Sequence, residues 1–369
     1  MSSETAPVRL LPWDAYLAGR GAAQTYRECR SCCAPAFAQQ RALIRRIVER
    51  TKPRVVACLG AGVLNDIPYR TLWGSGARLH LVDWLPGAIE AGVALSIIAT
   101  DETAGAHCAY CALGGDRARE YCTNFHRSGP APSAVCDRFV PTPGDPPACD
   151  AFEIGSWPQV HVEDVTGGYA SAFALGLGPE LRGVTTWKQA FARANALARR
   201  IGRPARRRQR LSIADASVDL VTSSMLLTQF EHEPYDYFTK QVARLIGLPG
   251  ADDEKRLNRA MARLRDALVD QQVEEHCLEI RRILAPGGRV FMSFELFHID
   301  PEGTDWFLVR EMQRSLSTLD RHFRFNFDII GEGESLTRFQ SRRAPSVVLA
   351  LVLEAKALAT RHATISPPG

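Results

Sequence analysis

The chain has 369 residues, 46% of them apolar and 23% charged, as in a globular protein with one large domain or two small ones. Its formal charge of +4 is weak evidence for a polyanionic partner, so nucleic acid is not expected. No apolar run reaches the roughly 20 residues of a membrane helix, and the polar start, Met1 to Thr5, is unlike a signal peptide. Composition therefore predicts a soluble, cytoplasmic protein with reduced cysteines.

Helices and strands alternate along the chain. Apolar spacing predicts helices over 36–50, 88–95, 187–201 and 253–284, and strands over 54–59, 78–83, 159–165, 217–223, 289–296, 325–330 and 346–353. This alternation predicts an α/β fold with a doubly wound, mostly parallel, seven-stranded sheet. We expect the apolar face of the 253–284 helix to pack on that sheet, and a homodimer contact through it is the alternative.

The first predicted strand ends in a glycine turn, Gly60-Ala61-Gly62, which lets the backbone approach a ligand closely. The second strand ends at Asp83, about 20 residues further on, where a carboxylate can bind the hydroxyls of a ribose. This pattern predicts a cofactor that contains adenosine. A dinucleotide would need room for its pyrophosphate, whereas Val63 to Asp66 supply bulk and a carboxylate. The turn therefore favours a phosphate-free cofactor with a cationic end.

These features resemble the class I S-adenosylmethionine-dependent methyltransferases. Four motifs have counterparts there in the same order: the glycine turn, Asp83, Asp164 after strand three, and Pro286-Gly287-Gly288 before strand five. The resemblance covers about residues 37 to 355. It departs at Ala57-Cys58, where the family often has an acidic residue before the first glycine. The resemblance implies that Asp83 binds the ribose hydroxyls and Asp164 the adenine amino group.

By this resemblance the cofactor would lie at the carboxyl ends of the strands. The implied cofactor-binding residues are Gly60, Ala61, Gly62, Asp66, Asp83, Trp84, Asp164, Val165 and Ser223. Capping of a strand end is the alternative role of Asp83, and Glu163 competes with Asp164 for the adenine contact.

In-line methyl transfer requires the enzyme to position the acceptor and, where needed, to remove its proton. The segment after strand four lacks the Asn/Asp-Pro-Pro-aromatic motif of many enzymes that methylate amino groups in nucleic acids and proteins, which favours a small-molecule acceptor. His232 is our first choice for the base, and a surface position at a helix start is its alternative. Further catalytic candidates are Glu295 and His298, and Tyr26 and Arg27 are candidate substrate contacts by location.

A segment over 105–155 is rich in cysteine, glycine and proline. Cys108 and Cys111 have the spacing at which two thiolates bind one tetrahedral ion, and the candidate metal ligands are Cys108, Cys111, Cys122 and Cys136. Three interpretations stay open: a structural zinc site, a soft-metal or thiol role that includes an iron–sulfur cluster, and a flexible insertion with incidental thiols. Cys58 and Cys277 are expected to be core residues.

The sequence thus divides into five parts. These are an N-terminal segment that could act as a lid (1–35), the first part of the methyltransferase-like domain (36–104), the cysteine-rich insertion (105–155), the rest of the domain (156–358) and a tail (359–369). The leading hypothesis is methyl transfer to a small molecule. Alternatives are methylation of a thiophilic metalloid or metal-thiolate, transfer of the cofactor's aminocarboxypropyl arm, and an inactive methyltransferase-like subunit that binds metal or a partner.

Overall fold

A computed structural model describes residues 10–18, 34–85, 87–89, 92–93, 158–202, 210–230, 232–299, 306–309, 312–331, 334–340 and 345–356. Its helices are α1 Trp13–Ala18, α2 Ala34–Thr51, α3 Tyr69–Gly74, α4 Tyr169–Glu180, α5 Trp187–Ile201, α6 His232–Ile246, α7 Ala251–Ile283 and α8 Met312–His322. Its strands are β1 Val55–Leu59, β2 Arg78–Asp83, β3 Gln159–Val162, β4 Val218–Ser224, β5 Leu284–Ile299, β6 Trp306–Leu308, β7 Phe323–Asn326, β8 Leu336–Gln340 and β9 Pro345–Ala355.

The strands form one mixed sheet whose main path has the order β3-β2-β1-β4-β5-β9-β7. The first five strands of this path pair in parallel, and β9 lies antiparallel between β5 and β7. The prediction of an α/β fold with a mostly parallel sheet is therefore confirmed. Strand order reverses between β1 and β4, and in open α/β sheets the crevice at that switch point is where ligands bind.

Two short strands, β6 and β8, extend the sheet beyond the predicted seven by pairing with β5 and β9. Strand β5, which we predicted over 289–296, runs instead from Leu284 to Ile299. Its far end pairs with β6 and with the start of β9, so the ladder continues past the parallel part of the sheet. This extension places side chains of β5 and β9 above the carboxyl ends of the other strands.

The sequence pattern missed the helices α1, α3, α4, α6 and α8. Helix α4 is almost entirely apolar, so it has no polar face to reveal a helical period. Strand β3 is shorter than predicted: it ends at Val162 instead of 165, because its partner β2 ends at Asp83, whose carbonyl accepts the last hydrogen bond from the Glu163 amide at 3.0 Å. The other predicted elements agree with the structure to within about two residues, apart from the 325–330 strand, which runs instead from Phe323 to Asn326, and the 88–95 helix, much of which lies outside the described residues.

Both faces of the central strands are buried, as expected for parallel strands covered by helices on either side. Val56 and Cys58 of β1 pack into one core with α2, whereas Ala57 and Leu59 pack into another with α7. The apolar stripe of α7 is buried, which confirms that it packs inside the domain, and a homodimer contact stays a prediction. Among the helices described here, none is both long and apolar enough to span a membrane.

Candidate functional site

The glycine turn after β1 depends on backbone conformations that favour glycine. Gly60 and Gly62 have φ of +69° and +48°, in the left-handed region. The amide of Ala61, between them, donates a 2.9 Å hydrogen bond to the carbonyl of Val82 in β2. A Cβ on Gly60 would lie only 2.7 Å from Cδ1 of Leu226. The turn therefore packs tightly between the carboxyl ends of β2 and β4.

Asp83 holds this turn in place from the end of β2. Its Oδ2 accepts a 2.9 Å hydrogen bond from the Gly62 amide, and its Oδ1 accepts one of 2.9 Å from the Leu85 amide. The side chain is buried, and burial raises its pKa to about 6, with a smaller contribution from the charge of Glu233. The two features that we paired from the sequence, the glycine turn and the acid, are thus in direct contact.

Asp66 follows the turn and is also buried. Burial raises its pKa to about 6, whereas a hydrogen bond from Ser224 and the charge of Arg41 oppose that shift. The Ser224 hydroxyl in turn lies 3.0 Å from that of Ser293 in β5. The turn, the end of β4 and β5 are therefore joined by one buried polar chain.

Asp164 lies just beyond the end of β3 and shapes the loop that leads into α4. Its Oδ1 accepts a 2.9 Å hydrogen bond from the Thr166 amide, and its Oδ2 accepts one of 2.8 Å from the Ser171 amide. Asp164 therefore fixes the backbone of this loop, which also contains Val165. Its contact with adenine stays a prediction.

Ser223, at the end of β4, contacts a residue that the sequence analysis did not single out. Its Oγ lies 2.9 Å from Nε2 of His276 in α7, and the other ring nitrogen, Nδ1, lies 2.8 Å from the carbonyl oxygen of Val165. Burial lowers the pKa of His276 to about 4, so its ring is neutral at pH 7. The only sequence signal was a row of polar residues inside the apolar stripe of α7: Gln272, His276 and Glu279.

The three candidate catalytic residues lie close together. Burial raises the pKa of the half-buried Glu295, and the nearby charges of His298 and His232 and a hydrogen bond from Ser346 oppose that shift. His298 and Ser346 are paired across β5 and β9, with 3.2 Å between Nδ1 and Oγ. Since an ionised carboxylate only accepts, Ser346 donates to Glu295 and accepts from His298. Sequence reasoning missed Ser346, because only the antiparallel register brings it here.

Trp84, next to Asp83, packs against the N-terminal helix α1. Its ring lies edge-on to Trp13 with 5.7 Å between centroids, and Trp13 lies 5.0 Å from Tyr237 of α6. The hydroxyl of Tyr16 also donates a 3.1 Å hydrogen bond to Glu233 in the first turn of α6. The described part of the N-terminal segment thus lies between Trp84 and the helix that starts at His232.

Several predicted site residues lie outside the described residues: Tyr26, Arg27, Cys108, Cys111, Cys122 and Cys136. In the part of the chain that the structure does describe, no three or more His, Cys, Asp or Glu side chains are grouped so as to hold a metal ion. The zinc prediction therefore has no support from these residues. Cys58 and Cys277 are fully buried in the core, as expected.

Comparison with known proteins identifies no family. No family model and no curated protein matches the chain. Among solved structures it is similar to a SAM-dependent methyltransferase of Methanosarcina mazei, with 11% identity, a TM-score of 0.36 and coverage of 85% of this chain and 97% of that one. A Pyrococcus horikoshii OT3 protein has 12% identity, a TM-score of 0.33 and coverage of 90% and 92%. A possible exported protein of Bordetella parapertussis has 14% identity, a TM-score of 0.29 and coverage of 83% of this chain and 65% of that one. With scores this low, the fold assignment depends on the strand order of the sheet.

Proposed function

We propose that the protein binds S-adenosylmethionine at the carboxyl edge of the sheet and transfers its methyl group to a small-molecule acceptor. The observation that carries this proposal is the hydrogen bond between the Gly62 amide and the Asp83 carboxylate at the switch point. It joins a glycine turn with room for a close ligand to an acid suited to ribose hydroxyls. The sequence resemblance to class I methyltransferases supports the same assignment.

The residues present fit this cofactor better than a dinucleotide. The turn would face the ligand with its backbone, and Asp83 would accept from the ribose hydroxyls with the lone pairs that the amides of Gly62, Trp84 and Leu85 leave available. Asp66, buried directly after the turn, would repel a pyrophosphate and favour a ligand with positive charge. When bound, the sulfonium of the cofactor supplies an electrophilic methyl group.

We assign proton removal to Glu295 rather than to His232, our first choice from the sequence. Glu295 is half-buried and lies among the other candidates, whereas His232 and His298 are exposed. As the acceptor's oxygen or nitrogen takes the methyl group, its O–H or N–H bond breaks and the proton passes to the Glu295 carboxylate. The exposed imidazoles can then carry that proton to solvent. A raised pKa makes a carboxylate a stronger base at neutral pH.

Calorimetric titration with S-adenosylmethionine tests this proposal. Wild-type protein should bind the cofactor and Asp83→Ala should not. Asp219→Ala is the matched control, because Asp219 also accepts hydrogen bonds from two backbone amides, those of Arg54 and Val55, but at the opposite end of β1. This control should bind like the wild type. Failure of folded wild-type protein to bind the cofactor would refute the proposal.

A further inference from the structure

His276 spans two segments that the proposed cofactor site needs at a fixed separation. Val165 belongs to the loop after β3, on the adenine side, and Ser223 ends β4. Their contacts with His276 join residues 111 and 53 positions apart in the chain. His276 itself is fully buried in α7, and the ring of Phe230 covers it edge-on at 5.2 Å between centroids.

The hydrogen-bond pattern determines which nitrogen carries the proton. A carbonyl oxygen only accepts, so Nδ1 of His276 carries the hydrogen and donates it to Val165 at 2.8 Å. The neutral ring then has an unprotonated Nε2, which accepts from the Ser223 hydroxyl at 2.9 Å. The Ser223 hydrogen is therefore directed to His276, and the Ser223 oxygen is left only as an acceptor.

The same face of α7 contacts this loop a second time, one turn later. Gly167 has a φ of +60°, and a Cβ there would lie 3.1 Å from Cγ of Glu279. Glu279 also accepts a hydrogen bond of 3.2 Å from the Leu211 amide and pairs with Arg282 at 2.7 Å. Two successive turns of α7 thus pack against the loop after β3, and the first of them also contacts the end of β4.

We propose that His276 is a positioning residue for the cofactor: its neutral ring fixes the distance between Val165 and Ser223, and so the width of the cleft for S-adenosylmethionine. This inference rests on the proposed function. His276 is fully buried and lies behind both segments, so it acts through them without reaching the reacting atoms. Removing either hydrogen bond leaves a buried polar atom without its partner, and the segment that loses it relaxes.

Three substitutions separate the two contacts. His276→Leu removes both of them, His276→Asn retains an N–H near the position of Nδ1, and His276→Gln retains an oxygen near that of Nε2. We expect His276→Leu to weaken calorimetric binding of S-adenosylmethionine by a factor of about ten or more, since losing even one of the two buried hydrogen bonds costs about that factor. The Asn and Gln variants should each recover part of this loss. Ser223→Ala combined with His276→Leu should be no weaker than His276→Leu alone, because both remove the same bond.

Gln272→Leu is the matched control. Gln272 is fully buried one turn earlier on α7 and donates hydrogen bonds of 2.6 and 3.1 Å to the carbonyls of Phe230 and Leu268. Its replacement should lower the melting temperature as His276→Leu does but leave the cofactor affinity unchanged. If His276→Leu likewise lowered the melting temperature but left the cofactor affinity unchanged, His276 would be a structural residue and the inference would be overturned.

Two further measurements keep the inference testable. If His276→Leu does not fold, Ser223→Ala alone carries the test, and unchanged affinity in that variant overturns the inference. Nitrogen-15 NMR of histidine-labelled wild-type protein without cofactor should show the buried His276 ring protonated at Nδ1 only. Protonation at Nε2 instead would overturn the inference. If wild-type protein shows that tautomer yet binds no cofactor, the proposed function fails although the hydrogen-bond arrangement stands.

Discussion

The amide of Gly62 donates a 2.9 Å hydrogen bond to Oδ2 of Asp83, and this contact joins the ends of the two neighbouring strands β1 and β2. It orders the turn before any ligand arrives, so little conformational entropy remains to be lost on binding. It also places the acid beside the backbone that a ligand would approach. The turn and the carboxylate therefore form one unit, and changes to either should affect both stability and cofactor binding.

Gly60→Ala should destabilise the protein more than Gly76→Ala. Both glycines have positive φ, +69° and +74°, so each substitution carries the same left-handed strain. A Cβ on Gly60 meets Leu226 at 2.7 Å, whereas nothing lies within 4 Å of one on Gly76. We expect chemical denaturation to show an additional loss of about 1 kcal/mol for Gly60→Ala from this overpacking. Equal losses would mean that Leu226 moves aside freely.

The buried Asp66 should make stability fall as the pH rises. Its pKa in the folded protein is about 6, above the ordinary 3.8, so the folded state holds a proton between those values that the unfolded state has lost. The free energy of unfolding therefore falls as the pH rises from about 4 to 6. Asp66→Asn removes this contribution. Between pH 4 and 7, its free energy of unfolding should therefore rise by about 2 kcal/mol relative to that of the wild type. Denaturation curves at several pH values measure this difference, and parallel pH profiles would contradict it.

Ser346→Ala should raise the pKa of Glu295. The Ser346 hydroxyl donates to the carboxylate and stabilises its ionised form, which opposes the effect of burial. Carbon-13 NMR titration of the side-chain carboxyl measures this pKa without knowledge of the acceptor. Ser317→Ala, on α8 with its hydroxyl bonded to the Gln313 carbonyl, is a control that should leave the titration of Glu295 unchanged. A fall in the pKa on Ser346→Ala would show that the hydroxyl accepts rather than donates.

The contact between the glycine turn and Asp83 could be predicted from the sequence because its signals are local. Apolar strands, a Gly-x-Gly turn and a strand-end acid each lie within a few consecutive residues, and parallel strands bring their carboxyl ends to one edge. Gly62 and Asp83 meet for that reason. The position of Asp164 was predicted less exactly, because β3 ends early and Asp164 lies in the loop beyond it.

The contacts of His276 and Ser346 could not be predicted because they depend on packing between distant segments. His276 meets Ser223 only through the placement of α7 on the sheet, and a histidine in an apolar stripe has no local sign of its partner. Ser346 reaches Glu295 and His298 only through the antiparallel register of β9, and a slip of one residue would turn it to the opposite face. No spacing in the sequence encodes either contact.

Trp13→Ala should weaken cofactor binding as well as stability. Trp13 is buried against Trp84, the neighbour of Asp83, and against Tyr237 of α6. Loss of a buried tryptophan costs about 3 kcal/mol or more, and here it removes the ring contacts of Trp13 with Trp84 and with Tyr237. We expect a lower melting temperature together with a weaker calorimetric affinity for S-adenosylmethionine, since the segment after Asp83 loses its packing.

Trp187→Ala is the control for this effect. Trp187 is half-buried on α5, where it packs on Phe191 and its Nε1 donates a 3.1 Å hydrogen bond to the Gly247 carbonyl. Its loss should lower the melting temperature without changing cofactor affinity, because none of these contacts involves Trp84 or Asp83. Unchanged affinity in Trp13→Ala would mean that α1 stabilises the domain but contributes nothing to the cofactor site, and the role of the N-terminal segment as a lid would then lose its support.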